Sequence, residues 1–71
     1  MDQIEATVTG RVLAVLVKVG DTVSAGDDVV TIESMKMEIP VSSDYDGTVA
    51  KISVSVDDSV EEGQVIIELG S

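Results

Sequence analysis

Cysteine and histidine are both missing from this 71-residue chain, and with them goes much of the side-chain chemistry that small proteins use. Without cysteine there are no disulfides and no thiolate metal sites. Without histidine the commonest metal ligand and a frequent general base are gone as well, so catalysis by the chain alone is not expected. Phenylalanine and tryptophan are also absent, and one tyrosine is the whole aromatic complement. Positive charge is scarce: four Lys and Arg against fourteen Asp and Glu give a formal net charge of −10, which repels nucleic acid and anionic membrane surfaces. No apolar run approaches the roughly 20 residues that a helix needs to cross a bilayer. The opening Met1-Asp2-Gln3-Ile4-Glu5 carries acid where a secretory signal carries base. The expectation is a cytoplasmic, acidic protein with neither nucleic acid nor a membrane as partner.

What the chain does contain is valine and isoleucine, β-branched side chains that are stiff at χ1 and suit a pleated, half-buried surface. The apolar spacing of an amphipathic helix is nowhere sustained beyond two turns. An all-β class follows. A chain this short is expected to form one domain, residues 1–71, burying only about 60% of its unfolded surface and leaving a thin margin of stability. Strands are predicted over Ile4 to Thr9, Gly10 to Val19, Asp28 to Glu33, Met37 to Val41, Gly47 to Val56 and Gln64 to Leu69, separated by Gly, Asp and Ser. Alternation is clearest in Val15-Leu16-Val17-Lys18-Val19 and in Ile52-Ser53-Val54-Ser55-Val56, which places Ile52, Val54 and Val56 on one face.

The chain also repeats itself. At an offset of 37 residues Gly10 falls on Gly47, Val12 on Val49, Val17 on Val54, Val19 on Val56, Asp21 on Asp58, Val23 on Val60 and Gly26 on Gly63. The segments from Gly20 to Asp27 and from Asp57 to Gln64 read as matched turns, each with one inward valine and a glycine able to take positive φ. Two units too small to bury a face alone do so by packing together, which predicts two sheets related by approximate two-fold symmetry. The segment joining the repeats then lies at one pole and the termini at the other.

That joining segment is Glu33-Ser34-Met35-Lys36-Met37-Glu38-Ile39-Pro40. Framed by two Gly-Asp-x-Val-x-x-Gly-like turns, it resembles the attachment motif of the biotinyl/lipoyl domain family, and the resemblance covers essentially the whole chain. It looks closest to the small stand-alone biotin carboxyl carrier-like proteins of bacteria. The resemblance implies a flattened barrel, or barrel-sandwich hybrid, of two four-stranded antiparallel sheets. It further implies covalent biotin on Lys36, added by a biotin protein ligase. Met35 and Met37 are either a flanking recognition motif that packs in an incoming pocket or semi-buried residues that lie back over the sheet. Glu33 and Glu38 are either ligase contacts or solvated charges. The implied role is that of a carrier, monomeric in isolation and not itself an enzyme, which shuttles carboxyl between biotin carboxylase and carboxyltransferase subunits. The residue type fits, because a lysine offers a primary amine on a flexible stem that can form an amide with an activated acyl group.

Two other readings share the fold: a lipoyl carrier and an unmodified β-sandwich adaptor. Lipoyl domains of the resembling family usually carry an acid immediately before the lysine and lack the paired methionines, so Met35 and Met37 favour biotin. The chain also departs from the family, with Ser34 in place of a common Ala, Ala6-Thr7-Val8-Thr9-Gly10 in place of a Pro-Met-x-Gly opening, and no thumb insertion. Met35-Lys36 contains none of the Asn, Asp or Gly that two-residue hairpin turns usually require; the resemblance alone predicts a turn there, and a strained one. Arg11, Lys18 and Lys51 are expected to face solvent, and Pro40 to mark a strand edge. Asp44-Tyr45-Asp46-Gly47 is a poor calcium loop, since Ser42 and Ser53 fall where acids are required.

Overall fold

The computed structural model describes residues 2–70. Eight strands make up the described chain: β1 (Asp2–Glu5), β2 (Gly10–Val15), β3 (Thr22–Val23), β4 (Asp28–Ser34), β5 (Met37–Ser42), β6 (Gly47–Ile52), β7 (Ser59–Val60) and β8 (Val65–Gly70). They form two four-stranded sheets in the orders β1-β8-β6-β3 and β5-β4-β2-β7, with every pairing antiparallel. Exchanging β1 with β5, β2 with β6, β3 with β7 and β4 with β8 turns one order into the other, which is the two-fold relation expected from the repeat. Only the β2–β4 and β6–β8 ladders lie within a repeat; the other four pairings join one repeat to the other. The halves are therefore interlocked by backbone hydrogen bonds as well as by side-chain packing.

The symmetry extends to the turns. The Gly26 N–H donates to the Ser43 carbonyl (2.7 Å) and the Gly63 N–H to the Ala6 carbonyl (2.9 Å); the Gly20 N–H donates to Val49 and the Asp57 N–H to Val12, each at 2.8 Å. Each turn is closed by a side chain that accepts a backbone N–H three residues earlier: Asp21 from Lys18 (2.9 Å), Asp58 from Ser55 (2.8 Å), Asp27 from Ser24 (2.9 Å) and Gln64 from Glu61 (3.1 Å). Such Asx-type bonds are why Asp recurs at these positions. One member of the pattern differs: Gly20, at φ 96°, is matched by Asp57 at φ 77°, a left-handed conformation that Asp tolerates better than most residues.

The core is almost entirely aliphatic. Val12, Val29, Val30, Ile32, Val41, Val49, Ile66, Ile67 and Leu69 are fully buried. In regular strands neighbouring side chains point to opposite faces, yet Val29 and Val30 are buried together, as are Ile66 and Ile67. Bulges account for this: the register skips Val29 between Asp28↔Ser42 and Val30↔Val41, and skips Ile66 between Glu5↔Val65 and Ile4↔Ile67. The extra residue re-aims a side chain inward and gives a small core two more apolar groups than strict alternation allows.

Three strands are shorter than predicted. The first ends at Glu5, with Thr7 to Thr9 forming a bend; the ladders of β2 and β6 end at Val15 and Ile52 rather than Val19 and Val56. After these points the chain turns back through the Asp21 and Asp58 bonds, so Val17 and Val54 still pack against the core while Val19 and Val56 are exposed. The turn segments in turn contain the short strands β3 and β7, whose Val23 and Val60 are the inward valines. Pro40 sits on β5, an edge strand, where a missing N–H costs no ladder bond.

Candidate functional site

The site is built by the β4–β5 hairpin. Ile32 faces Ile39, Glu33 faces Glu38 and Ser34 faces Met37, leaving Met35 and Lys36 as a two-residue loop. Both have positive φ, 53° and 65°, the signature of a type I′ turn whose twist matches that of the flanking strands. Left-handed conformations cost non-glycine residues roughly 1–2 kcal/mol each, so Met35-Lys36 is held in place by the ladder beneath it rather than by its own preferences. Buried Ile32 anchors that ladder in the core.

The turn thrusts its side chains outward. Met35 is 92% exposed, Met37 is 63% exposed, and Lys36 is exposed between them. All five residues singled out from the sequence are thus gathered at one tip: Met35 and Lys36 in the turn, Met37 opening β5, and Glu33 and Glu38 directly opposite one another one step below. Two like charges facing across a ladder repel. Arg11 of β2 relieves this on one side, donating from Nη2 to Glu33 (3.3 Å) and from Nη1 to Asp57 (3.5 Å). Each pair is about half exposed or more and contributes at most about 1 kcal/mol, but together they join β4, β2 and the turn before β7.

Arg11 is the residue that sequence reasoning missed. Its partners lie 22 and 46 residues away, and only the sheet order brings them together. Lys18 and Lys51 are exposed as expected. Asp46, in the stretch weighed as a calcium loop, accepts the Ala25 N–H (2.7 Å), just as Thr9 accepts the Glu62 N–H (3.1 Å) in the other repeat. Ser43, the one buried polar residue among the described residues, exchanges hydrogen bonds with the Tyr45 backbone. Among the described residues no cluster of three or more acids is placed to hold a metal. A cleft of about 370 Å³ runs between the edges of β1 and β5, lined in part by Gln3, Glu5, Pro40, Ser42 and Tyr45. None of the five tip residues borders it.

The hairpin presents an exposed primary amine at the joint of the two repeats, and comparison with known families bears on its class. The profile of the Biotin_lipoyl family, described as biotin-requiring enzyme, matches residues 2–69. The chain belongs to the biotin/lipoyl domain family. Among its relatives, a biotinylated protein TB7.3 homolog of Mycobacterium leprae is 45% identical over 65 residues, covering 92% of each chain. A biotin/lipoyl attachment protein of Bacillus subtilis is 42% identical over 62 residues, 87% of this chain and 85% of the relative. A dihydrolipoyllysine-residue acetyltransferase component of the pyruvate dehydrogenase complex of Pseudomonas aeruginosa is 40% identical over 59 residues, 83% of this chain but 11% of that protein. The fold matches a segment of the Kluyveromyces lactis urea carboxylase with a TM-score of 0.91 and 36% identity, over 97% of this chain and 6% of the carboxylase. Biotin/lipoyl domains thus occur both as small proteins of this size and as parts of much longer enzymes.

Proposed function

We propose that this biotin/lipoyl domain is a biotin carrier, with biotin joined through an amide to Nζ of Lys36. The observation that carries the reading is the type I′ turn, which presents Lys36 between two exposed methionines with no neighbouring wall to hinder a partner's approach. The fit is of a simple kind: the attachment requires an accessible primary amine, and the turn supplies one. A biotin protein ligase provides the activated acyl group and the base. The Lys36 nitrogen attacks the acyl carbon, the activating group departs, and the ammonium charge is lost. When bound, biotin supplies a ureido nitrogen able to hold carboxyl.

The chain's own contribution is mechanical. The lysine stem and the protruding hairpin extend the reach of whatever is attached, while the rigid two-sheet body keeps it tethered at high effective concentration near the active sites it visits. Those sites belong to biotin carboxylase and carboxyltransferase partners, a reading supported by the likeness to urea carboxylase. The formal charge of −10 favours encounter with basic partner surfaces and repels a second copy.

Lipoate on Lys36 is the second reading, and the Pseudomonas relative supports it. Against it stands Met35, an apolar residue where lipoyl domains of the resembling family carry an acid. Intact-mass measurement after coexpression with either a biotin or a lipoate ligase distinguishes the two. Biotin addition to the parent, and none to Lys36→Arg with an unchanged melting temperature, is the expected result. Modification persisting in Lys36→Arg at Lys18 or Lys51 would refute the assignment.

A further inference from the structure

The chain has no cysteine and three methionines. Two of these flank Lys36, and they are among the most exposed large apolar residues of the described chain, Met35 at 92% and Met37 at 63%. Methionine normally fills irregular gaps in a core; here the aliphatic core contains none. Met1 lies outside the described residues. The sulfur chemistry of the folded tip is therefore concentrated on the two side chains that border the proposed attachment lysine, with no thiol in the chain to intercept an oxidant first.

We propose that Met35 and Met37 are a reversible oxidation site through which hydroperoxide controls acylation of Lys36. The proposal rests on the reading of Lys36 as an attachment lysine. In the step itself a thioether sulfur lone pair attacks one oxygen of hydrogen peroxide. The O–O bond breaks, an S–O bond forms, and the second oxygen leaves as water with both hydrogens. Sulfur loses two electrons and the peroxide gains them, so the balance needs no further reagent. The product, methionine sulfoxide, is polar and chiral and can be reduced back by sulfoxide reductases.

The fold decides what such a change would affect. Neither side chain belongs to the buried cluster around Ile32, Val41 and Ile67, and the turn is held by backbone pairing of Glu33 with Glu38 and Ser34 with Met37. Oxidation leaves the body folded and alters only the surface that a partner meets. A pocket that closes over two apolar thioethers must instead desolvate two strong hydrogen-bond acceptors, and a buried acceptor without a donor is unfavourable. The sign is therefore loss of acylation without loss of structure.

The test uses the full chain, treated with hydrogen peroxide and then with catalase before any enzyme is added. Peptide mass mapping locates the added oxygens, circular dichroism follows the melting temperature, and initial rates of acylation are measured with biotin and lipoate ligases in parallel. The expected result is one oxygen on each of Met35 and Met37, an unchanged melt, and a rate reduced by about tenfold or more, the scale on which pockets discriminate small changes in an apolar group. Sulfoxide reductase treatment restores the rate. In the double variant Met35→Leu, Met37→Leu, whatever its basal rate, peroxide leaves the ratio of treated to untreated rates near one. Equal rates for treated and untreated parent, or an equal loss in the leucine variant, would overturn the proposal. An untreated parent that neither ligase acylates overturns the attachment reading itself, and the oxidation proposal with it.

Discussion

Val17 and Val54 are equivalent in the repeat but not in the structure: Val54 is 6% exposed and in the core, while Val17 is partly buried and packs on its margin. Aspartate at the two positions should therefore have unequal effects. At Val54 the substitution forfeits about 1.5–3 kcal/mol of apolar burial. The new carboxyl must also stay neutral in the core, which at pH 7 costs about 4 kcal/mol relative to an ordinary Asp pKa of about 3.9. The sum approaches the roughly 4–11 kcal/mol of total stability expected for a chain of this length. At Val17 the carboxylate reaches water, and the loss should be about 1–2 kcal/mol. The sign of the pH effect follows from the raised folded-state pKa of the introduced group: the Val54→Asp penalty is largest at neutral pH and shrinks as pH falls towards 4, with about 2.7 kcal/mol recovered between pH 7 and pH 5. Urea denaturation of both variants at the two pH values measures all of this. Val54→Ala and Val17→Ala supply the same contrast at smaller cost if Val54→Asp is unfolded at pH 7. Equal losses at the two positions, or a Val54→Asp penalty independent of pH, would refute the burial argument.

Gly10→Ala should be the more damaging of two matched glycine substitutions, because its Cβ would collide with the Glu33 carbonyl and approach Ile32 Cγ2 to 2.8 Å, whereas at Gly47 the nearest atom is the Gly70 carbonyl oxygen at 3.1 Å. Thermal or urea unfolding should show at least about 2 kcal/mol lost at Gly10 and about 1 kcal/mol at Gly47. Fragments 1–36 and 37–71 should each be disordered by circular dichroism, since four of the six ladders join the halves; cooperative melting of either one alone would contradict the interlocked topology. Transposing the turn, Met35→Lys with Lys36→Met, keeps composition and charge while re-aiming the amine, and the initial rate of ligase-dependent acylation should fall sharply in a protein that still folds. An unchanged rate would mean that the placement of Lys36 does not matter.

The sequence carried the repeat and the β class because each rests on local pattern: β-branched alternation and the Asp and Gly of the turns. It did not carry strand ends. Val19 and Val56 continue the apolar alternation, and nothing in the residues themselves says that the chain leaves the ladder after Val15 and Ile52; the Asp21 and Asp58 side chains, bonding backward to Lys18 and Ser55, make that decision. Nor did periodicity place Val29 and Ile66 in the core, because a bulge breaks the rule by which faces are counted. The Met35-Lys36 turn lay beyond local reasoning for a related cause: its left-handed residues are imposed by the β4–β5 register and are not favoured by their own type. Arg11 marks the same limit in charge, since its two acidic partners are neighbours only after the sheet has formed.

Because strands, bulges and turn bonds recur at 37 residues, and Gly10 and Gly26 recur as Gly47 and Gly63, the body is a symmetric pair of half-chains, and the Ser34–Met37 hairpin is the splice that makes two of them one. A splice is needed once. Among the described residues it has no counterpart at the 37-residue offset, whereas Asp21 has Asp58 and Gly26 has Gly63. The scaffold can thus stay fixed while this connector is rewritten, and among the described residues the duplicated body offers one such connector as an address for an enzyme that reads its surface.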